Sequence, residues 1–257
     1  MRRYVFLLRE LVKRDFQGRY AGSVLGFFWS LVQPLWMLVL FTFVFSTVMK
    51  VTPGAGAHTG HFAIFLFGGL LPWTAMQEGV LRSATAITDN ANLVKKLRFP
   101  AEILVLAVVL AGLLHEAIAA VVFVGALLWL GEFSWGGLPL LLLAIPLQVG
   151  LTLGLALIVS ALHVFFRDTA QILGMVFNVW FYVTPIVYPL TLVPSRYRTW
   201  LELNPLTALV GLYRQAFLGG RLEVVPGAVS LALVAAVLTS VGFWLFRRLK
   251  PAFVDEI

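Results

Sequence analysis

Long apolar stretches, each closed by a short cluster of charged or turn-forming residues, repeat along this chain. Six of them reach the roughly 20 residues that a helix needs to cross a bilayer. They are Trp29–Met49, Phe62–Arg82, Pro100–Leu130, Leu138–Phe166, Thr169–Pro189 and Val224–Phe246. A single apolar chain in lipid must satisfy its own backbone hydrogen bonds, so each stretch is predicted to be α-helical. The predicted fold class is an all-α integral membrane protein with six transmembrane helices in one domain, residues 1–257. Residues 1–28 form an interfacial helix and lead-in, 29–166 carry spans 1–4, and 167–257 carry spans 5 and 6.

The N-terminal stretch has a different rhythm. Val5, Leu8, Leu11, Val12 and Phe16 recur at steps of three and four, with Arg2, Arg9, Lys13 and Arg14 on the rest of the turn. This predicts an amphipathic helix lying on a membrane surface. It serves as an anchor and topology signal, or its cations meet an anionic lipid head group such as a pyrophosphate; the two roles are compatible. Gly18, Gly22, Gly26 and Ser30 then fall at four-residue spacing. On a continuous helix they would form a small-residue ridge for close helix packing, or a hinge.

Leu201–Leu218 is apolar enough to suggest a seventh span, but it contains Glu202, Pro205 and Arg214. The distribution of cations decides. With six spans, one side holds Arg2, Arg3, Arg9, Lys13, Arg14, Arg19, Arg82, Lys95, Lys96, Arg98, Arg167, Arg247, Arg248 and Lys250, which is 14 residues. The other side holds Lys50, Arg196, Arg198, Arg214 and Arg221, which is 5. The cation-rich side is cytoplasmic, so both termini are expected there. A seventh span would put Arg247, Arg248 and Lys250 outside. Leu201–Leu218 therefore reads as one or two short helices dipping back into the membrane within a re-entrant segment, 190–223. Such an element needs protein or a water-filled cavity around it.

Composition agrees: 60% of residues are hydrophobic and 12% charged, and mean hydropathy is +0.93. The formal charge of +7 is a topology signal rather than a nucleic-acid footprint. The absence of cysteine excludes disulfides, thiolate metal sites and a cysteine nucleophile. No phosphate-binding GxxxxGK[ST] loop, GxSxG motif or metal cluster occurs, so no enzyme chemistry is expected of this chain.

Several residues could carry chemistry. In Thr88–Pro100, Thr88 is placed to cap a short helix from Asp89, with Leu93, Val94 and Leu97 beside Lys95, Lys96 and Arg98. That is an ordinary basic loop or a docking element. His115 and Glu116 sit within span 3, where charge is costly and needs a partner or a wet cavity. The zinc-protease pattern fails because position 119 is Ala119. Trp73, Trp129, Trp135, Tyr188, Tyr197 and Trp200 fall near predicted interfaces, where belt aromatics belong. Phe177, Trp180, Phe181 and Tyr182 in span 5, with Trp29 in span 1, are candidates to line an internal path, where aromatic faces could stack on sugar rings.

Three blocks resemble the ABC-2 type permeases of polysaccharide exporters, most of all the Wzm type that exports O-antigen. The first holds Arg14, Asp15, Arg19, Tyr20, Leu25, Gly26, Trp29 and Pro34. The second is NLVKKLRFP, ending in Phe99 and Pro100. The third holds Phe166-Arg167-Asp168, Thr184-Pro185, Asn204-Pro205 and Tyr213-Arg214. The resemblance implies a homodimer paired with two copies of a separate ATPase that binds ATP and Mg; this chain binds no cofactor itself. It implies a lipid-linked polysaccharide as cargo, met at its head group by Arg2, Arg3, Arg9, Lys13 and Arg14. Asn92, Leu93, Lys95, Lys96, Phe99 and Pro100 would couple to the ATPase. Asn204, Pro205, Tyr213 and Arg214 would belong to an outer gate. An ABC-2 exporter of a drug or small lipid is the alternative, followed by an ion-coupled carrier working through His115 and Glu116. A membrane enzyme is the weakest reading, since no acid–base constellation is present.

Overall fold

The computed structural model describes residues 2–19, 22–52, 59–96, 100–219 and 227–257, and only the backbone of Arg2, Arg3, Phe27 and Lys96. The helices are α1 (Arg2–Gly18), α2 (Trp29–Phe41), α3 (Phe62–Thr85), α4 (Ala91–Lys96), α5 (Glu102–Leu130), α6 (Leu141–Phe165), α7 (Thr169–Val183), α8 (Ser195–Leu203), α9 (Pro205–Leu218), α10 (Ala228–Leu249) and α11 (Phe253–Glu256). No strand occurs among the described residues. Five helical runs are long and apolar enough to cross a membrane: Trp29–Val48, Phe62–Thr85, Glu102–Leu130, Trp135–Phe165 and Ala228–Glu256.

The fifth predicted span is shorter than expected. α7 ends at Val183 rather than Pro189. Pro185 disfavours helical backbone at the preceding residue, and Thr184 is extended, with φ −96° and ψ 133°. Fifteen residues give about 22 Å of helix, less than the ~30 Å of a hydrocarbon core. Two helices cover the Leu201–Leu218 segment: α8, which already begins at Ser195, and α9. Asn204 separates α8 from α9 and accepts the Leu206 N–H, with Pro205 starting the next helix.

α3 is the central element. About 78% of its most apolar stretch is buried within the chain, against 11% for the first span. Its neighbours include α5, α6, α7 and α9. At one end of the bundle, α1 packs Leu11 against Leu104 and Ala107 of α5. At the same end Phe253 of α11 is buried with Ile87, Val105, Val164 and Phe246, and Lys250 pairs with Glu102 at 2.9 Å. At the opposite end His61 pairs with Glu132, and the Ser134 N–H donates to the Phe217 carbonyl.

The proposed glycine ridge does not form. α1 stops at Gly18, and Gly22 and Gly26 have φ of +80° and +48°. No atom lies within 4 Å of a Cβ built on Gly18, Gly22 or Gly26, so Gly22 and Gly26 serve backbone turns rather than helix contact. The close small-residue approach lies elsewhere. A Cβ on Gly154 of α6 would sit 2.5 Å from the Leu238 carbonyl carbon of α10, and one on Gly242 would sit 2.6 Å from the Gly154 oxygen. Thr239 donates to the Gly150 carbonyl at 2.7 Å across the same seam.

Two smaller expectations also fail. Thr88 does not cap: its hydroxyl donates backward to the Thr85 carbonyl, because residues 88–90 form a tight turn before α4. Trp73 is no belt residue: it is 3% exposed and packs inside the bundle.

Candidate functional site

The two motif-rich ends of the chain build two polar clusters, one at each end of the bundle. The first joins α1 to α3. Asp15 accepts from Arg82 at 2.7 Å, Arg19 meets Glu78 at 2.6 Å, and Arg14 donates to Asn90 at 2.7 Å. Arg19, just past the end of α1, approaches Asp15 to 3.8 Å, and Arg82 and Glu78 approach to 3.7 Å within α3. The alternation of sign lets each charge face an opposite one. A cavity of about 720 Å³ opens beneath, lined by these charges with Gly18, Gln33 and His115.

The cations proposed for a lipid head group divide between two places. Arg14 turns to Asn90 and the cavity, whereas Arg9 and Lys13 border a separate groove with Val12, Phe16, Gln17, Gly26 and Leu114. That groove, about 580 Å³, has an apolar wall and two cations at its rim. The side chains of Arg2 and Arg3 lie outside the described residues.

The coupling residues also separate. Asn92 and Lys95 are exposed on α4. Leu93 and Val94 pack inward beside Leu11 and Leu104, so this apolar face holds α1 rather than standing free. Pro100 is half-buried just before α5. The Lys96 side chain, Leu97, Arg98 and Phe99 lie outside the described residues.

The second cluster gathers the Thr-Pro, Asn-Pro and Tyr-Arg pairs. Asn204 donates to the Thr184 hydroxyl at 3.0 Å and accepts from the Trp180 ring N–H at 3.1 Å and the Leu206 N–H at 3.1 Å. Arg214 donates to the carbonyls of Phe65, Pro185 and Ile186 at 3.1, 2.9 and 2.7 Å. Tyr213 donates to Gln148, which donates to Glu116 at 2.6 Å. His115, next to Glu116, borders the cavity beneath the charge network.

The aromatic candidates divide by direction. Phe177 is 1% exposed. It packs with Trp180 and Phe181 around Trp73, with ring centroids 5.5 to 6.3 Å apart. Tyr182 and Trp29 face outward, at 69% and 43% exposure. They belong to broad apolar faces of α7 and α2 that nothing among the described residues covers: Met175 and Val179 on α7, Leu35, Trp36 and Val39 on α2.

Outside the spans, Glu132 accepts from Thr59 at 2.5 Å and contacts His61 at 2.9 Å. Burial pulls its pKa upward. The hydrogen bonds from Thr59 and His61, the His61 charge and the Gly60 N–H outweigh that and hold it below the ordinary carboxylate value. Sequence reasoning did not find this clasp, because 71 residues separate its partners.

The family model for ABC-2 type transporters matches residues 7–218. The O-antigen export system permease protein RfbA of Myxococcus xanthus is 31% identical, over 99% of this chain and 96% of that protein. RfbA of Klebsiella pneumoniae is 30% identical over 98% and 95%, and the polysialic acid transport protein KpsM of Escherichia coli is 25% identical over 97% and 95%. Both polar clusters and the outward faces of α2 and α7 lie within residues 7–218. The chain belongs to the ABC-2 type transporter family.

Proposed function

We propose that this chain is the membrane subunit of an ATP-driven exporter that moves lipid-linked polysaccharide, of the O-antigen kind, across a bacterial inner membrane. The observation that carries the reading is the end-to-end likeness to permeases named for O-antigen and polysialic acid export. It is a transport subunit, with ATP and Mg held by a separate ATPase in two copies.

Two copies of the chain form the path. Each offers the open faces of α2 and α7, where Trp29 and Tyr182 stand. Aromatic faces stack on sugar rings without demanding one sequence of hydroxyls. Phe177, Trp180 and Phe181 stand behind, against Trp73, and stiffen α7. α7 and the buried Thr184–Ile186 segment together make the fifth of six crossings, and α8 and α9 re-enter from outside. Both termini are then cytoplasmic, which gathers the cations of α1, α4 and the end of α10 on one side.

The Arg9–Lys13 groove receives the diphosphate head of the cargo, its lipid tail running past Phe16 and Leu114. Asn92 and Lys95 meet the ATPase. ATP-driven closure of that partner moves α4, and with it α1 through the Leu93–Leu11 contact. An ATPase variant unable to hydrolyse ATP should leave glycan inside. Continued export with such a partner would refute the mechanism.

A further inference from the structure

The proposed path explains the faces of α2 and α7 but leaves a buried polar chain without a purpose. Glu116 on α5, Gln148 on α6 and Tyr213 on α9 lie in an otherwise apolar interior, at 7%, 0% and 3% exposure. Gln148 donates its amide N–H to Glu116 at 2.6 Å, and its carbonyl accepts from the Tyr213 hydroxyl. An amide has one acceptor end and one donor end. Glu116 takes the donor end, so the acceptor end is left facing Tyr213. The orientation of Gln148, and through it the seat of Tyr213, depends on Glu116.

Tyr213 and Arg214 are consecutive, so their side chains leave α9 about 100° apart. Tyr213 reaches toward α5 and α6. Arg214 reaches to α3 and to the Pro185–Ile186 backbone. α9 is thereby pinned in two directions. The Arg214 pin belongs to the outer cluster alone. The Tyr213 pin leads inward, because Glu116 lines a cavity of about 110 Å³ with Gln33, Glu78 and His115. Those three residues also line the larger cavity beneath the α1–α3 charge network. The second oxygen of Glu116 is buried with no hydrogen-bond partner within bonding distance among the described residues. It is a spare acceptor on a helix whose first turns hold α1.

We propose that Glu116, Gln148 and Tyr213 are positioning residues for transport: they hold α9 in place, and their separation is the step that frees the outer end. This rests on the export reading above but makes a claim about α9 that can be tested without knowing the cargo. Gln148 and Tyr213 lie at 0% and 3% exposure, so a link broken between them is poorly replaced by water. Loss of one member should therefore raise the population of displaced α9 about fivefold, the factor carried by one ordinary hydrogen bond.

The chain has no cysteine, so one introduced thiol is a clean reporter. Thr207→Cys sits in the first turn of α9, where Thr207 is 6% exposed. The full chain with its ATPase partner is expressed in cells and labelled from outside with a membrane-impermeant maleimide. Labelling is expected to be slow in the parent and about fivefold faster with Gln148→Met, Tyr213→Phe or Glu116→Leu. Glu116→Gln keeps an acceptor for Gln148 and should stay near the parental rate. Export should fall in the three fast variants while the partner's ATP turnover persists, a split that simple misfolding would not give. Should Gln148→Met fail to reach the membrane, Tyr213→Phe, which removes one oxygen, carries the test. Equal labelling in all variants overturns the proposal, as does Glu116→Gln behaving like Glu116→Leu, or ATP turnover collapsing with export. If labelling responds as stated but the exported molecule is not a glycan, the positioning role stands and the glycan reading falls.

Discussion

Arg214 lies over the ring of Phe65, its guanidinium carbon 3.6 Å from the ring centroid, while donating to the Phe65 carbonyl. One side chain thus holds the first turn of α3 by its face and by its backbone. It also holds Pro185 and Ile186, so the start of α3, the end of α7 and the middle of α9 share one cation. Three carbonyls and an aromatic face suit a planar fork of donors and do not suit the point charge of lysine.

Replacing Arg214 by Met leaves three carbonyls short of a donor and should cost about 3 kcal/mol or more. Arg214→Lys should recover less than half of that. Thermal unfolding of the purified protein in detergent gives the order: parent, then Lys, then Met.

The same site makes two adjacent glycines unequal. A Cβ on Gly69 would lie 2.7 Å from an Arg214 nitrogen and 3.3 Å from Val210, whereas one on Gly68 would meet nothing nearer than 3.5 Å. Gly69→Ala should displace the guanidinium and destabilise by about 1–3 kcal/mol. Gly68→Ala should be close to neutral. Parallel melts of the two variants check the contrast.

At the α6–α10 seam, Gly154→Ala pushes a methyl into the Leu238 backbone at 2.5 Å, where no flexible side chain can yield. A loss of about 2 kcal/mol or failure to accumulate in the membrane is expected. Gly174→Ala, with nothing within 4 Å, should accumulate normally. Comparing the two membrane yields decides it.

The Glu132 clasp makes a pH prediction. Glu132 has its pKa lowered on folding. Its contribution is therefore fully present above the unfolded-state value and fades as pH falls through the folded one. The parent should melt higher than Glu132→Gln at neutral pH, and the gap should narrow as pH falls below the ordinary glutamate range. A gap that widens in acid would contradict the assignment.

Much of the architecture was legible because lipid leaves so few options. The first four spans follow from length and apolarity, and the break before α9 follows from Asn204-Pro205. What failed did so for local reasons. The helical spacing of Gly18, Gly22 and Gly26 is real, but two of them sit at positive φ, and spacing cannot reveal that. The Gly150–Gly154 pair carries the same four-residue signal, and it is this pair that marks the tight seam with α10. Arg14 was grouped with Arg9 and Lys13 by charge, yet its side chain turns to Asn90, 76 residues away. Phe177 and Trp73 pack against each other inside the bundle, a contact that neither the span-5 aromatic run nor a position near an interface reveals. The Tyr213-Arg214 motif was found by resemblance. That its two side chains anchor α9 in different directions required their partners, far away in sequence.

The central claim is tested most directly by depleting the protein in its host and locating the lipid-linked glycan. The account predicts that glycan accumulates on the cytoplasmic face of the inner membrane and disappears from the cell surface. Unchanged surface glycan, with altered efflux of a drug or small lipid instead, would contradict it.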